Sequence, residues 1–430
     1  MQAADLGPVP PAERTQSPVD LFLIFAGANI VTTTLQAGAA LAAGGPTGSM
    51  ALVVLGSGVV VGSLLVAALA PVGPRLGVPS IIAARAVFGL RGAGLVAALL
   101  YLTNFAWIAI NNAVAASVAS VAFDAPGANR MLALAIGLAA TLVVSRGARA
   151  VWLADRIAVP AMAIVAALVT IALFQTAHVS SLTGQVQAAP IEPRALLHGF
   201  DIVIGYQVSW ILMFADFSRY SRSGRRSAAA VFLGLAVTSL WLMPIGLVSA
   251  RLAGSTDPGA MIAASGVGRW GALLVALATI TTNFVNIYLS SLAWKSLVPR
   301  AGDQRVIWSI GIVGTALGLL SADLLERFGE MMYLLGSLLV PVGGVLVAHF
   351  LIVRRPVRVE DLYDRSGPLA HRGGVSLAGV GAWAAGITAY HLSGAIGSFL
   401  PALSVSILAY VVLARWVGGP ASRDDARAPE

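Results

Sequence analysis

Apolar runs of about 20 residues follow one another along this chain, and each is long enough to cross a hydrocarbon core of roughly 30 Å as a helix. The pattern predicts twelve spans, over residues 20–43, 49–70, 93–121, 130–146, 153–177, 197–217, 228–251, 269–293, 304–322, 330–352, 374–391 and 395–416. Two further segments, about 76–92 and 257–268, mix Pro, Gly and Arg with apolar residues and read as short interfacial helices. The Pro-rich head lacks a basic start and a small-residue cleavage site, so it reads as a tail, not a removed signal peptide. The expected organisation is a cytoplasmic tail over 1–19, a transmembrane domain over 20–416 and a second cytoplasmic tail over 417–430.

Charge gives an independent check on the spans, because cytoplasmic loops retain Lys and Arg. When the loops are assigned to alternate sides, all of the 27 Lys and Arg residues fall on one side except Arg130, Arg194, Arg251, Arg269 and Arg327. One missed helix would scramble that alternation. Both ends are therefore expected in the cytoplasm, and the chain in the inner membrane of the cell, surrounded by lipid. The net charge of +8 resides in short loops and forms no continuous basic stripe with interleaved aromatics, so no nucleic-acid partner is expected.

Composition points the same way. The chain is 58% hydrophobic and 11% charged, with a mean hydropathy of +0.85, whereas soluble domains carry roughly a quarter charged residues. No cysteine is present, which removes disulfides, thiolate metal sites and thiol nucleophiles. The five histidines are scattered without metal-ligand spacing, and no paired carboxylates or activated nucleophile lie at membrane depth, so no enzyme is expected. His349, near the end of the tenth span, is a titratable group or an interfacial hydrogen-bonding residue. An intramembrane chain of this kind is expected to carry a small polar solute.

Spans one and six share breakers. Span one contains Gly27-Ala28-Asn29-Ile30 followed by Thr32-Thr33-Thr34, and span six contains Gly205-Tyr206-Gln207 followed by Ser209 and Trp210. Matching interruptions five spans apart are what inverted repeats produce around a midplane site, and unwound backbone is tolerated in lipid only beside a polar cavity or protein. The alternative use of these glycines is close helix packing.

Span three places Asn104, Trp107 and Asn111 on one helical face, with Asn112 beside them. A flat indole flanked by amides suits a planar heterocycle, since the ring stacks and the amides answer ring nitrogens and carbonyls. Span eight carries Ala278, Thr281 and Thr282, then Asn283 and Asn286. Threonine hydroxyls and carbonyls are hard oxygen donors that can hold Na⁺ without a carboxylate, although single intramembrane threonines usually bond back to their own helix.

With these motifs in place, the chain resembles the nucleobase:cation symporter-1 family, in its purine-cytosine permease branch. The resemblance is carried by Gly7-Pro8-Val9-Pro10, Arg85-Ala86-Val87-Phe88-Gly89, the Trp107 region, Ala215-Asp216-Phe217-Ser218-Arg219-Tyr220, Thr281-Thr282-Asn283, and Pro341-Val342-Gly343-Gly344 leading into Arg354-Arg355. It implies a LeuT-type all-α fold, with repeat one over about 20–177, repeat two over about 197–352 and two extra helices over about 374–416. It implies monomeric, cation-coupled uptake of a nucleobase-like heterocycle by alternating access, with Na⁺ or H⁺ as coupling ion and no other cofactor. Trp107 would stack the ring, and Asn104 and Asn283 would bond its edge. Span six would add Tyr206, Gln207 and Ser209, and Asn111 and Asn286 complete the candidate set. Na⁺ would be held by carbonyls around Gly27 and Ile30, the Ala278 carbonyl and the Thr281 and Thr282 hydroxyls. Many relatives have a second aromatic in span six where this chain has Gln207. Cytosine permeases tend to have an acid where it has His349. An amino-acid or amine carrier on the same scaffold, or an uncoupled facilitator, is the competing expectation.

Overall fold

A computed structural model describes residues 6–43, 48–176, 192–298, 302–320 and 324–417. The first helix, α1 (Pro18–Asn29), starts where hydrogen bonding requires it to. The Ser17 hydroxyl accepts the Asp20 N–H at 3.1 Å, the Asp20 carboxylate accepts the Ser17 N–H at 3.0 Å, and Pro18 occupies the first turn. Asp20 is thus a cap. At Ile30 and Val31 the backbone leaves the helical region, and α2 (Thr32–Ala39) departs at 61° to α1.

The chain continues through α3 (Gly48–Leu69) into three short helices, α4 (Val72–Leu76), α5 (Ser80–Ala83) and α6 (Arg85–Phe88). Long helices then follow: α7 (Gly92–Ala122), α8 (Asn129–Ser145), α9 (Ala148–Thr176), α10 (Pro193–Val208) and α11 (Gly224–Ala253). After the short α12 (Pro258–Ala264) come α13 (Gly268–Leu297), α14 (Asp303–Leu320), α15 (Phe328–Val347), α16 (Leu377–Leu392) and α17 (Phe399–Val417). A helix lies over each apolar segment predicted above. Among the described residues, seven helices are long and apolar enough to cross a membrane, and the bent α1–α2 pair makes an eighth.

Solvent preference is inverted relative to a water-soluble protein. Leu392 is 81% exposed and Met131 77%, whereas Asn29, Asn111, Asn112, Gln207 and Asn283 are fully buried. Apolar side chains on the outside and amides within are what a lipid solvent selects.

Helix placement puts α2 at the centre, where it touches α7, α10 and α13. α7 runs along α13 and α14, α10 lies between α3 and α15, and α11 packs on α1, α2 and α3. The pair α16–α17 leans on α15. Absent side chains allow the central approach: a Cβ on Gly38 would sit 1.8 Å from the Met243 carbonyl oxygen, and one on Gly246 would sit 1.9 Å from that of Leu35. Two backbones meet there with nothing between them.

The N-terminal head, expected as a simple tail, is fastened across the arginine-rich side. The Val9 N–H donates to the Gly77 carbonyl at 2.8 Å, Arg14 to that of Pro74 at 2.7 Å, and the Gln16 N–H to that of Tyr220 at 3.0 Å. At the end of α15, a π-helical turn (Ala348–Val353) brings His349 Nδ1 within 2.6 Å of the Tyr410 hydroxyl on α17. His349 is therefore buried and bonded within the helix bundle.

Candidate substrate and ion site

The break in span one is held open from its neighbours. Asn29 is its keystone: Nδ2 donates to Thr238 Oγ1 and Ser239 Oγ, both at 2.8 Å on α11, while the Asn29 carbonyl accepts the Thr34 hydroxyl at 2.6 Å. A carbonyl that lost its helical partner at the end of α1 thereby regains one. The Tyr206 hydroxyl reaches in from α10, 2.6 Å from Thr34 Oγ1 and 3.3 Å from Asn29 Oδ1.

Span six behaves differently from the prediction. Its α-helix runs unbroken through Gly205, Tyr206 and Gln207 to Val208, and gives way to a 3₁₀ turn (Ile211–Met213) only after Ser209 and Trp210. Gly205 is a contact glycine, since its Cβ would stand 2.0 Å from the Met332 carbonyl oxygen. The interruption predicted at Gly205 thus moves to Ser209, because close approach to α15 accounts for the glycine.

Trp107 is half-buried on α7 and meets Tyr206 edge-on, with ring centroids 5.8 Å apart and planes at 85°. Phe328, at the start of α15, also packs on the indole, with ring centroids 6.4 Å apart. On the same face of α7, Asn104 is 2% exposed and its Nδ2 has no hydrogen-bond partner, and Asn111 is fully buried with neither amide atom bonded. From α13, Asn283 donates to Asn112 Oδ1 at 2.7 Å, leaving its own Oδ1 buried and unpartnered. Each buried polar atom left unmade costs about 1–3 kcal/mol, and native structures rarely leave such atoms without a reason. Two amide donors and two amide acceptors are thus left without protein partners, on the face of α7 that carries Trp107 and on Asn283, which packs against that helix at Ile108 and Asn112.

Two other candidates, Gln207 and Ser209, are engaged elsewhere. Gln207 points away from Trp107: Nε2 donates to Ser63 Oγ on α3 at 2.8 Å, and Oε1 accepts the Ser239 hydroxyl at 3.2 Å. The Ser209 hydroxyl donates to the Tyr206 carbonyl at 2.7 Å. Asn286 lies one turn along α13 from Asn283 and is buried.

The ion candidates lie on two elements, the break between α1 and α2 and the middle of α13, which meet through α2. Gly27 occupies the last turn of α1, and the Ile30 backbone lies in the break itself. On α13 the Thr281 hydroxyl donates to the Ala278 carbonyl at 2.8 Å, and Thr282 is half-buried one residue on. Sequence reasoning passed over the contact that joins the two helices, Thr32 Oγ1 to Thr279 Oγ1 at 2.7 Å, both buried. The Thr-rich composition of each helix was visible, but which threonine faces which helix was not. Among the described residues, no group of three His, Cys, Asp or Glu side chains could hold a metal ion. Hydroxyls and carbonyls are the oxygen donors at this junction.

The comparisons agree with this architecture. Residues 8–418 match the family described as permeases for cytosine/purines, uracil, thiamine and allantoin, and the chain belongs to that family of membrane transporters, the nucleobase:cation symporters. It is 26% identical over 351 residues to the cytosine permease of Escherichia coli strain K12, covering 81% of both chains. Among solved structures it is similar to the inward-facing conformation of Mhp1, with a TM-score of 0.82 and 19% identity over 99% of this chain and 97% of that one. It is also similar to the closed, bromovinylhydantoin-bound Mhp1, a nucleobase-cation-symport-1 family transporter, with a TM-score of 0.81 and 19% identity over 96% and 95% of the two chains.

Proposed function

We propose that this chain is a secondary active symporter of the inner membrane, with both ends cytoplasmic, that takes up a nucleobase or related planar heterocycle by alternating access with Na⁺ as coupling ion. The observation that carries this reading is the set of orphaned amide atoms on Asn104 and Asn111, on the helical face of Trp107, and on Asn283, which packs against the same helix. A heterocycle whose edge alternates N–H donors with ring-nitrogen or carbonyl acceptors would satisfy them while its face lies on the indole. Tyr206 holds the broken span against that indole. Gln207 and Ser209, bonded elsewhere, shape the surrounding helices without touching substrate. The relatives named for cytosine and the hydantoin-bound Mhp1 support a ligand of this class.

For the ion, the break at Ile30 and the Ala278–Thr282 turn of α13 supply hydroxyls and carbonyls, which are hard ligands suited to Na⁺. An ion there would tie α1–α2 to α13 and favour one arrangement of the two helices. Coupling of this kind is worth about 1–3 kcal/mol between sites. With no acid among these donors, Na⁺ is favoured over H⁺.

Binding of cytosine to the purified full chain in Na⁺ and in choline buffer tests both halves. Tighter binding in Na⁺ is expected, and equal affinity removes sodium from the mechanism. Stacking of a base on an aromatic ring is worth about 1–3 kcal/mol, so Trp107→Ala is expected to weaken binding roughly 5- to 150-fold. A variant that binds as wild type places the pocket elsewhere.

A further inference from the structure

A cavity of about 250 Å³ opens on the side opposite the arginine-rich loops. Phe328, 1% exposed, lines it and also packs against Trp107 at 6.4 Å, so one ring separates this cavity from the indole below. Gln36 of α2 forms part of the wall. It is 1% exposed, its Nε2 donates to the Thr256 carbonyl at 2.8 Å, and its Oε1 is buried without a partner. Glu326 and Glu330, both exposed, also line the cavity, and Glu330 lies 3.8 Å from Arg327. His198 of α10 adds an imidazole.

This lining has one chemical bias. An amide oxygen and two carboxylates accept hydrogen bonds and donate none, against which the lining sets an imidazole N–H and the second N–H of the Gln36 amide, so acceptors lead. The Gln36 amide is already oriented, because one of its N–H groups is fixed on the Thr256 carbonyl and its Oε1 is held without a partner in the cavity wall. A ring that brings N–H groups meets this lining well, whereas one that brings mainly carbonyls does not.

We propose that the cavity is a staging subsite that holds an amino-substituted planar heterocycle before it passes Phe328 to reach Trp107. The exocyclic amino group bonds Gln36 Oε1 and a glutamate, and the ring lies toward Phe328. This rests on the transport reading above and adds to it a selectivity step ahead of the central pocket. Substrates bearing an amino group are captured here in preference to their oxo counterparts.

Equilibrium dialysis of radiolabelled cytosine against the purified full chain, in Na⁺ buffer so that the central site is at its tightest, tests the proposal. The wild type is expected to hold two cytosines per chain and Trp107→Ala one. Adding Gln36→Leu to Trp107→Ala is expected to weaken the remaining site at least tenfold. Uracil, with a carbonyl where cytosine has its amino group, is expected to compete for that site at least fivefold less well. Glu330 is exposed, so Glu330→Gln in the Trp107→Ala background keeps the test independent of folding, and a threefold or greater loss is expected. One cytosine per wild-type chain, abolished by Trp107→Ala, overturns the subsite and leaves the transport reading standing. A residual site indifferent to both Gln36→Leu and Glu330→Gln also overturns it. A wild type that binds no cytosine and no other heterocycle overturns the transport reading itself.

Discussion

The two spans that carry similar breaker motifs take opposite courses. Span one bends by 61° at Ile30–Val31, where the Asn29 carbonyl is met by Thr34 of α2 and the Asn29 side chain by Tyr206 of α10 and by Thr238 and Ser239 of α11. Span six keeps its helix straight through Gly205-Tyr206-Gln207, and its glycine serves a close backbone contact with α15. A glycine beside polar residues in a membrane span therefore has two uses, and its neighbours in space decide between them. In span one the break is secured by a hydrogen-bonding asparagine. In span six the same kind of polar residue, Gln207, is spent on joining helices.

The largest effect that would test this contrast is at Gly205. If the residue were a hinge, Gly205→Ala would be tolerated at modest cost. As a contact glycine 2.0 Å from the Met332 carbonyl, it forces α10 and α15 apart when a Cβ is added. Overpacking of this kind costs about 1–3 kcal/mol or more. Gly205→Ala is expected to lower the melting temperature and the folded yield in detergent sharply, and a melt indistinguishable from wild type would return the hinge reading to span six.

The next effect falls on the break in span one. Asn29→Leu removes the amide that bonds Thr238, Ser239 and the Leu235 carbonyl, and leaves the Tyr206–Thr34 pair without its third member. Buried groups stranded in this way cost about 1–3 kcal/mol each. The expected outcome is a clear fall in melting temperature together with weaker Na⁺-dependent binding, because the same residue sets the geometry of Gly27 and Ile30. Loss of stability with unchanged ion dependence would separate the break from the ion site.

This contrast also shows what could be read from the sequence. The helical segments were legible because lipid demands long apolar runs, and a helix lies over each of them. The break in span one was legible because Gly27, Asn29 and the three threonines together exceed what packing needs. The face of α7 was legible because Asn104, Trp107 and Asn111 obey helical periodicity. What could not be read was partner choice across helices. Nothing local says that Thr32 meets Thr279, that Asn283 spends its donor on Asn112, or that Phe328, more than 200 residues further on, packs on the tryptophan. Those pairings are set by crossing distances between backbones, as at Gly38 and Gly246, and a one-dimensional pattern does not carry them.

Gln207 gives the smallest effect and the sharpest test of the contrast. A substrate role and a helix-joining role predict opposite splits between affinity and stability. Its amide spans α3 and α11 through Ser63 and Ser239, and its Cβ packs where a side chain on Gly62 would stand, 2.5 Å away. Gln207→Met conserves volume and removes both hydrogen bonds, each worth about 0.5–1.5 kcal/mol net. It leaves Ser63 and Ser239 able to bond back to their own helices, as intramembrane serines commonly do. The expected result is a small drop in melting temperature with cytosine affinity and Na⁺ dependence within twofold of wild type. A tenfold loss of affinity with an unchanged melt would mean that the glutamine turns toward Trp107 during the transport cycle, and span six would then share the substrate directly with span three.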